Sequence, residues 1–167
     1  MTRQKRFSGA LFVIAMLSSS LSFGTDLDHA ATFEAMKTFV GTYDEQADAS
    51  SAARVDYRLI SRGSALTESW LMASGKQELT VFHMDNGTLV ATHYCAAGVQ
   101  STMALTDKTD DGLYRFRLRS ATNLASADAS HNSGFGYRFD DNQQIFRNEI
   151  WSRAGQESES DLMLKRQ

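Results

Sequence analysis

Proline is absent from this 167-residue chain, and cysteine occurs once. A single cysteine, Cys95, leaves no intrachain disulfide, so the fold must be held by its core. With no proline, every turn must be made by Gly, Asn, Asp and Ser. Basic residues are also scarce: 17 Lys and Arg stand against 20 Asp and Glu, for a net charge of −3. Three of those basic residues, Arg3, Lys5 and Arg6, lie in the first six positions. No basic face remains for nucleic acid or an anionic membrane surface, so neither is expected as a partner. Repeats and low-complexity tracts are missing too, and beyond the first forty residues no long helical period appears.

The N-terminus carries a recognisable address. Met1 to Arg6 is basic, Phe7 to Leu17 is apolar, and Ser22-Phe23-Gly24 supplies small residues. That order matches a secretory signal peptide, residues 1–24, with cleavage expected after Gly24. The apolar run is too short to span a bilayer comfortably, and no cysteine follows it as a lipid anchor. The expected product is a periplasmic or secreted domain, residues 25–167, with no stable membrane insertion. Without the leader, 14 basic residues face 20 acidic ones, a net charge of −6. One domain with a real core fits this length; two do not.

Leu27 to Val40 predicts a short helix, capped by Asp28 or Thr32, with Phe33, Met36, Phe39 and Val40 as its apolar stripe. From Gly41-Thr42-Tyr43 onward the period is two. Val55, Tyr57 and Leu59 alternate with charges over Ala52 to Ser61, and Leu66, Glu68, Trp70 and Met72 share one side of Ala65 to Ala73. Tyr114, Phe116 and Leu118 alternate with Arg115, Arg117 and Arg119 over Leu113 to Arg119. Phe135 to Phe139, Gln143 to Ser152 and Ser160 to Arg166 complete the chain. The turns between strands are explicit, among them Arg62-Gly63-Ser64, Ser74-Gly75-Lys76, Asp110-Asp111-Gly112, Asp140-Asp141-Asn142 and Ala154-Gly155-Gln156. Ala121 to Ser133 reads as the one long connection. About ten strands at this spacing predict an all-β antiparallel sandwich or barrel.

The centre of the chain is Leu79 to Met103. Two apolar runs, Leu79 to Met84 and Leu89 to Cys95, flank Asp85-Asn86-Gly87-Thr88, a strong hairpin signal. Two registers are open. A two-residue loop pairs Asp85 with Thr88 and puts His83 and His93 on opposite faces. A three-residue loop pairs Met84 with Thr88 and puts His83, His93 and Cys95 on one face. In either register His93 and Cys95 share a face and Tyr94 takes the other.

The helix, Gly41-Thr42-Tyr43 and the strand meander together resemble the lipocalin-like (calycin) barrels. In those barrels the first strand carries Gly-x-Trp, and a basic residue on the last strand packs across that ring. Here the ring is Tyr43 and its partner Arg166 or Lys165. The chain also resembles a group of small exported bacterial proteins through Gly63-Ser64-Ala65-Leu66-Thr67-Glu68, Val81-Phe82-His83-Met84-Asp85 and Thr92-His93-Tyr94-Cys95-Ala96-Ala97-Gly98, with Ala121-Thr122-Asn123-Leu124 and His131 in keeping. After Gly98 that group reads Asn-Gln-Pro-Arg-Met, whereas this chain reads Val99-Gln100-Ser101-Thr102-Met103. If that segment binds an anion in the group, the missing arginine argues against the same binding here. The resemblance implies an up-and-down antiparallel β-barrel of about ten strands with a short N-terminal helix. It implies nothing specific about activity.

Four candidate sites follow. His83, His93, Cys95 and His131 are metal-ligand types, but His-x-Cys on a strand is no recognised closed motif, so no metal is expected from it. Cys95 with His93 or His131 as base lacks the elbow or helix N-terminus that activates a nucleophile. Glu68-Ser69-Trp70 and Glu149-Ile150-Trp151 place each carboxylate on the face of its tryptophan. If the tryptophans face inward, so do Glu68 and Glu149, and Arg147 on the same face can pair with one of them. Finally, small calycin barrels can hold haem through one histidine, for which His131 is the candidate.

The leading expectation is non-catalytic binding of a small, largely apolar ligand inside the barrel. Trp70, Trp151 and Met103 are its expected walls; Glu68, His83, His93, Tyr94, Cys95, Gln100 and Glu149 are its expected polar groups. The alternative is a small isomerase or hydrolase using an interior Glu/His pair. A module that binds through an open sheet edge is the third class.

Overall fold

The computed structural model describes residues 27–48, 50–139 and 144–167. The expected leader and the turn at Asp140-Asp141-Asn142 lie outside them. A short helix, α1 (His29–Met36), runs into a single 3-10 turn, Lys37–Phe39. Ten strands follow: β1 (Gly41–Glu45), β2 (Arg54–Ile60), β3 (Ala65–Leu71), β4 (Gln77–Asp85), β5 (Thr88–Tyr94), β6 (Gln100–Lys108), β7 (Tyr114–Thr122), β8 (His131–Phe139), β9 (Gln144–Arg153) and β10 (Gln156–Arg166). Each pairs antiparallel with its sequence neighbour, and β1 pairs with β10 to close an up-and-down barrel. Closure removes every free sheet edge, so edge-strand docking has no strand to add to.

The helix is shorter than its apolar stripe predicts. Asp28 caps it by accepting a hydrogen bond from the Ala31 backbone N–H at 2.9 Å. Phe33, Met36 and Phe39 are buried, while Val40 faces solvent. These three side chains plug one end of the barrel, and the His29 ring accepts a hydrogen bond from Leu89 N–H to tie the plug to β5. Below the plug lies an aromatic cluster in which Phe82, Phe116 and Phe135 meet at centroid distances of 5.0 to 5.9 Å. Edge-on and tilted contacts of this kind add to the burial term.

The closing strands pair Tyr43 with a cation of the last strand. Tyr43 sits opposite Arg166, whose guanidinium lies 5.2 Å from the ring centroid and donates to the Tyr43 hydroxyl. Arg166 also donates to the Thr38 carbonyl, so one side chain joins β10, β1 and the plug. Gly41 has φ +151°, and a Cβ there would press on the same guanidinium at 3.4 Å.

At the hairpin, Asp85 pairs with Thr88, and Asn86 and Gly87 both have positive φ, 47° and 83°. The loop therefore has two residues, as the right-handed strand twist favours. Every later pairing in β4 and β5 follows from it: His83 opposes Val90 on the outside, and His93 opposes Thr80 on the inside. The connection expected over Ala121 to Ser133 is shorter than its sequence implies. β7 continues through Thr122 and β8 begins at His131.

Candidate functional site

The end of the barrel away from α1 is open, and its interior is polar. On β3, period-two alternation points Leu66, Glu68 and Trp70 inward. On β9 the same alternation points Ile145, Arg147, Glu149 and Trp151 inward. Arg147 and Glu68 are separated by 79 residues, yet meet in the barrel axis with both side chains fully buried. Arg147 Nη1 donates to both Glu68 oxygens at 2.9 Å. The Tyr57 hydroxyl donates to Oε1 at 2.7 Å and the Tyr137 hydroxyl to Oε2 at 2.9 Å. Arg147 Nη1 also contacts the Tyr137 hydroxyl directly. Arg147 Nε reaches on to Glu149 Oε1 at 3.1 Å, and the other Glu149 oxygen accepts from the Trp151 indole N–H.

This network is a polar floor. A buried guanidinium and carboxylate are tolerable only when paired and hydrogen-bonded. Burial alone works to lower the Arg147 pKa, but Glu68 and Glu149 outweigh it, and the group is held firmly charged. Burial first, and then the Glu68 charge, pushes the Tyr57 phenol well above its ordinary value, so it remains a donor. The guanidinium also lies against Phe135, Tyr137 and Trp70 at 4.9, 5.0 and 5.4 Å from their centroids.

Above the floor a cavity of about 380 Å³ opens between the β1–β2 loop and the β3–β4 turn. Trp70 and Trp151 form its walls, with Met72, Ala53 and Leu162. Its polar lining includes Glu45, Glu78 and Glu149, and among its described lining residues none is lysine or arginine. The chain has two tryptophans, and both are here.

Beside this cavity, β4 and β5 bring Glu78, His93 and Cys95 together, with their ligand-type atoms within 4.8 Å of one another. His93 is 2 % exposed. Its Nδ1 contacts the Thr80 hydroxyl at 3.1 Å, and its Nε2 has no hydrogen-bond partner among the described residues. Burial first, and then Arg147, lowers the His93 pKa, with Glu78 opposing, so the ring is neutral near pH 7. The Cys95 thiol, raised chiefly by burial, donates to Glu78 Oε1 over 3.5 Å, and its sulfur accepts from the Ala97 N–H.

The expected site residues divide cleanly. Trp70, Glu149 and Trp151 line the cavity, Glu68 lies in its floor, and His93 and Cys95 stand at its side. His83 and Gln100 are on the outer face, opposite Val90 and Tyr94, and Tyr94 is 46 % exposed. Gln100 braces a turn there by donating to the Gly98 carbonyl. Met103 is inward but sits in the apolar core, next to Ala91 and Leu118 in the ladder. His131 pairs with Ser152 on the outer face and donates to the Ala129 carbonyl, so the haem expectation loses its axial ligand. Sequence reading missed Glu78, Asn132, Tyr57 and Tyr137 as parts of the site. Glu78 was within reach: once the loop has two residues, His93 opposes Thr80, and Glu78 is next on that face. Asn132 was not, because a bulge between Asn132 and Gly134 turns it inward against the alternation.

No protein-family model matches this chain, and no curated protein matches it.

Proposed function

We propose that the protein is an exported, non-catalytic binding barrel that takes a small amphipathic molecule into its open end. The ligand has an apolar body, held between Trp70 and Trp151, and a hydrogen-bond-donating or cationic head such as an amine. One observation carries this reading: the cavity walls are tryptophans while its described ionisable lining is acidic. An ammonium gains from both, through charge with Glu149 and through the indole faces. An anion meets only like charge. Binding fits better than catalysis because Glu68, the deepest carboxylate, has both oxygens committed to Tyr57, Tyr137 and Arg147. Those partners hold it in place as part of the floor. Export rests on the basic and apolar leader pattern, and the calycin-like relatives noted from sequence motifs are part of the same reading.

Because both tryptophans line the cavity, intrinsic fluorescence reports occupancy directly. Titration with a medium-chain alkyl amine should shift or quench the emission saturably, and the matching alkyl carboxylate should do so far more weakly. Glu149→Gln should narrow that preference. Equal responses to amine and carboxylate would remove the charge argument. No response to either, with no organic mass retained on native mass spectrometry of protein from its host, would remove the binding reading.

A further inference from the structure

We propose that Glu78, His93 and Cys95 form a site for a thiophilic divalent metal ion, zinc in the first instance, at the side of the barrel mouth. The three donors come from the adjacent strands β4 and β5 and the start of the following turn. His93 Nε2 lies 3.7 Å from Glu78 Oε2, and Cys95 Sγ lies 3.5 Å from Glu78 Oε1. The two distances end on different oxygens of one carboxylate, and one donor atom from each of the three residues lies within 4.8 Å of the other two, so modest side-chain rotation brings all three to the distance of about 2.0–2.3 Å that zinc takes.

A second observation points to a ligand independently of the cluster. His93 is buried, and its Nε2 is directed at the Glu78 carboxylate without reaching it. Both tautomers leave a fault. If Nε2 carries the proton, its N–H stops short of hydrogen-bond distance and stays unpaired. If Nε2 is bare, a lone pair faces a carboxylate across a buried gap. A dication between them removes either fault. The proton then sits on Nδ1, where the Thr80 hydroxyl at 3.1 Å accepts it, the outer hydrogen bond that orients metal-bound histidines. Ala97 N–H already donates to the Cys95 sulfur and steadies a thiolate.

The donor set selects the metal. Imidazole and thiolate favour zinc, cobalt and copper over magnesium and calcium. Three protein donors leave a fourth position open, and Glu78 and Cys95 also border an outer groove lined by Arg54, Ser69 and Tyr94, which gives the ion a way in. Binding costs one proton, taken from the Cys95 thiol, so affinity should rise about tenfold per pH unit while that thiol is protonated.

The test uses the purified protein, stripped with a chelator and titrated with cobalt(II), whose thiolate charge-transfer and ligand-field bands report coordination. We expect one equivalent to bind with both bands, zinc to displace it, and zinc to protect Cys95 from a thiol reagent. Cys95→Ser should abolish the charge-transfer band, and Glu78→Gln should weaken binding. Thr80→Val should weaken it about 10- to 100-fold with the thiol still present, which a merely structural threonine would not do. His83→Ala, on the outer face, should change nothing. Absence of a charge-transfer band, with Cys95 equally reactive with and without zinc, would overturn the proposal. So would a band that survives in Cys95→Ser.

Discussion

Toward α1 the barrel interior is filled by Phe39, Leu66, Phe82, Leu89, Met103, Leu105 and Phe116, all buried and none polar. Toward the open end Glu68, Asn132, Arg147, His93 and Trp70 are buried instead. The buried side-chain polar atoms found without a partner among the described residues belong to four of these, Trp70, His93, Asn132 and Arg147. The plugged half is arranged for cohesion. The open half carries buried polar atoms that a stability-driven core would avoid, since each unsatisfied one costs about 1–3 kcal/mol. Such groups concentrate where a protein binds something; here Trp70 lines the cavity and Asn132 pairs in the ladder with its wall residue Trp151.

Mutations can break this contrast in order of expected effect. Arg147→Met should be the most damaging, about 3–5 kcal/mol by urea denaturation, because it leaves the buried Glu68 carboxylate without its cation. Adding Glu68→Gln to it should restore a large part of that loss. If the double variant is as unstable as the single one, the floor is not a mutually dependent pair. Met36→Ala in the plug should cost about 2–5 kcal/mol through the cavity it opens. Ligand-dependent tryptophan fluorescence should survive it, since the plug lies at the other end; loss of that response would show the two halves to be coupled.

Asn132→Leu sharpens the contrast by reversing the sign. Asn132 is buried with both side-chain polar atoms unpaired, so an apolar side chain of similar size should stabilise the fold by about 1–2 kcal/mol while weakening occupancy of the cavity. A destabilised variant would mean that Asn132 has a partner in solution. The smallest effect is pH dependence. His93 titrates below its ordinary 6.5 in the fold and near it when unfolded. The unfolded chain therefore takes up the proton first. The stability due to neutral His93 is complete above 6.5 and is lost as pH falls through the lower folded value. His93→Gln should flatten the denaturation midpoint over the pH range below 6.5; an unchanged slope would assign it to other groups.

The strands were largely legible because their side chains alternate. Leu66, Glu68 and Trp70, or Tyr114 and Phe116, declare a shared face within a few residues, and both members of each Glu-x-Trp pair indeed turn inward. The alternation misled where packing ended. Leu59 continues the pattern of Val55 and Tyr57 but is exposed near the end of β2. The candidate site was harder to read. His83 and His93 look equivalent in sequence and differ only in which side of the barrel the two-residue turn assigns them.

By itself the sequence determined the all-β class of fold, the strand meander and the presence of a hairpin at Asn86-Gly87. These depend on local backbone preferences and a side-chain period of two, which neighbouring residues express together. Tertiary structure alone decided that Glu68 meets Arg147, that Glu78 joins His93 and Cys95, and that Asn132 is turned inward. Those outcomes depend on register, barrel closure and one bulge. Such long-range pairings bring together residues up to 79 positions apart, and no local pattern along the chain encodes them.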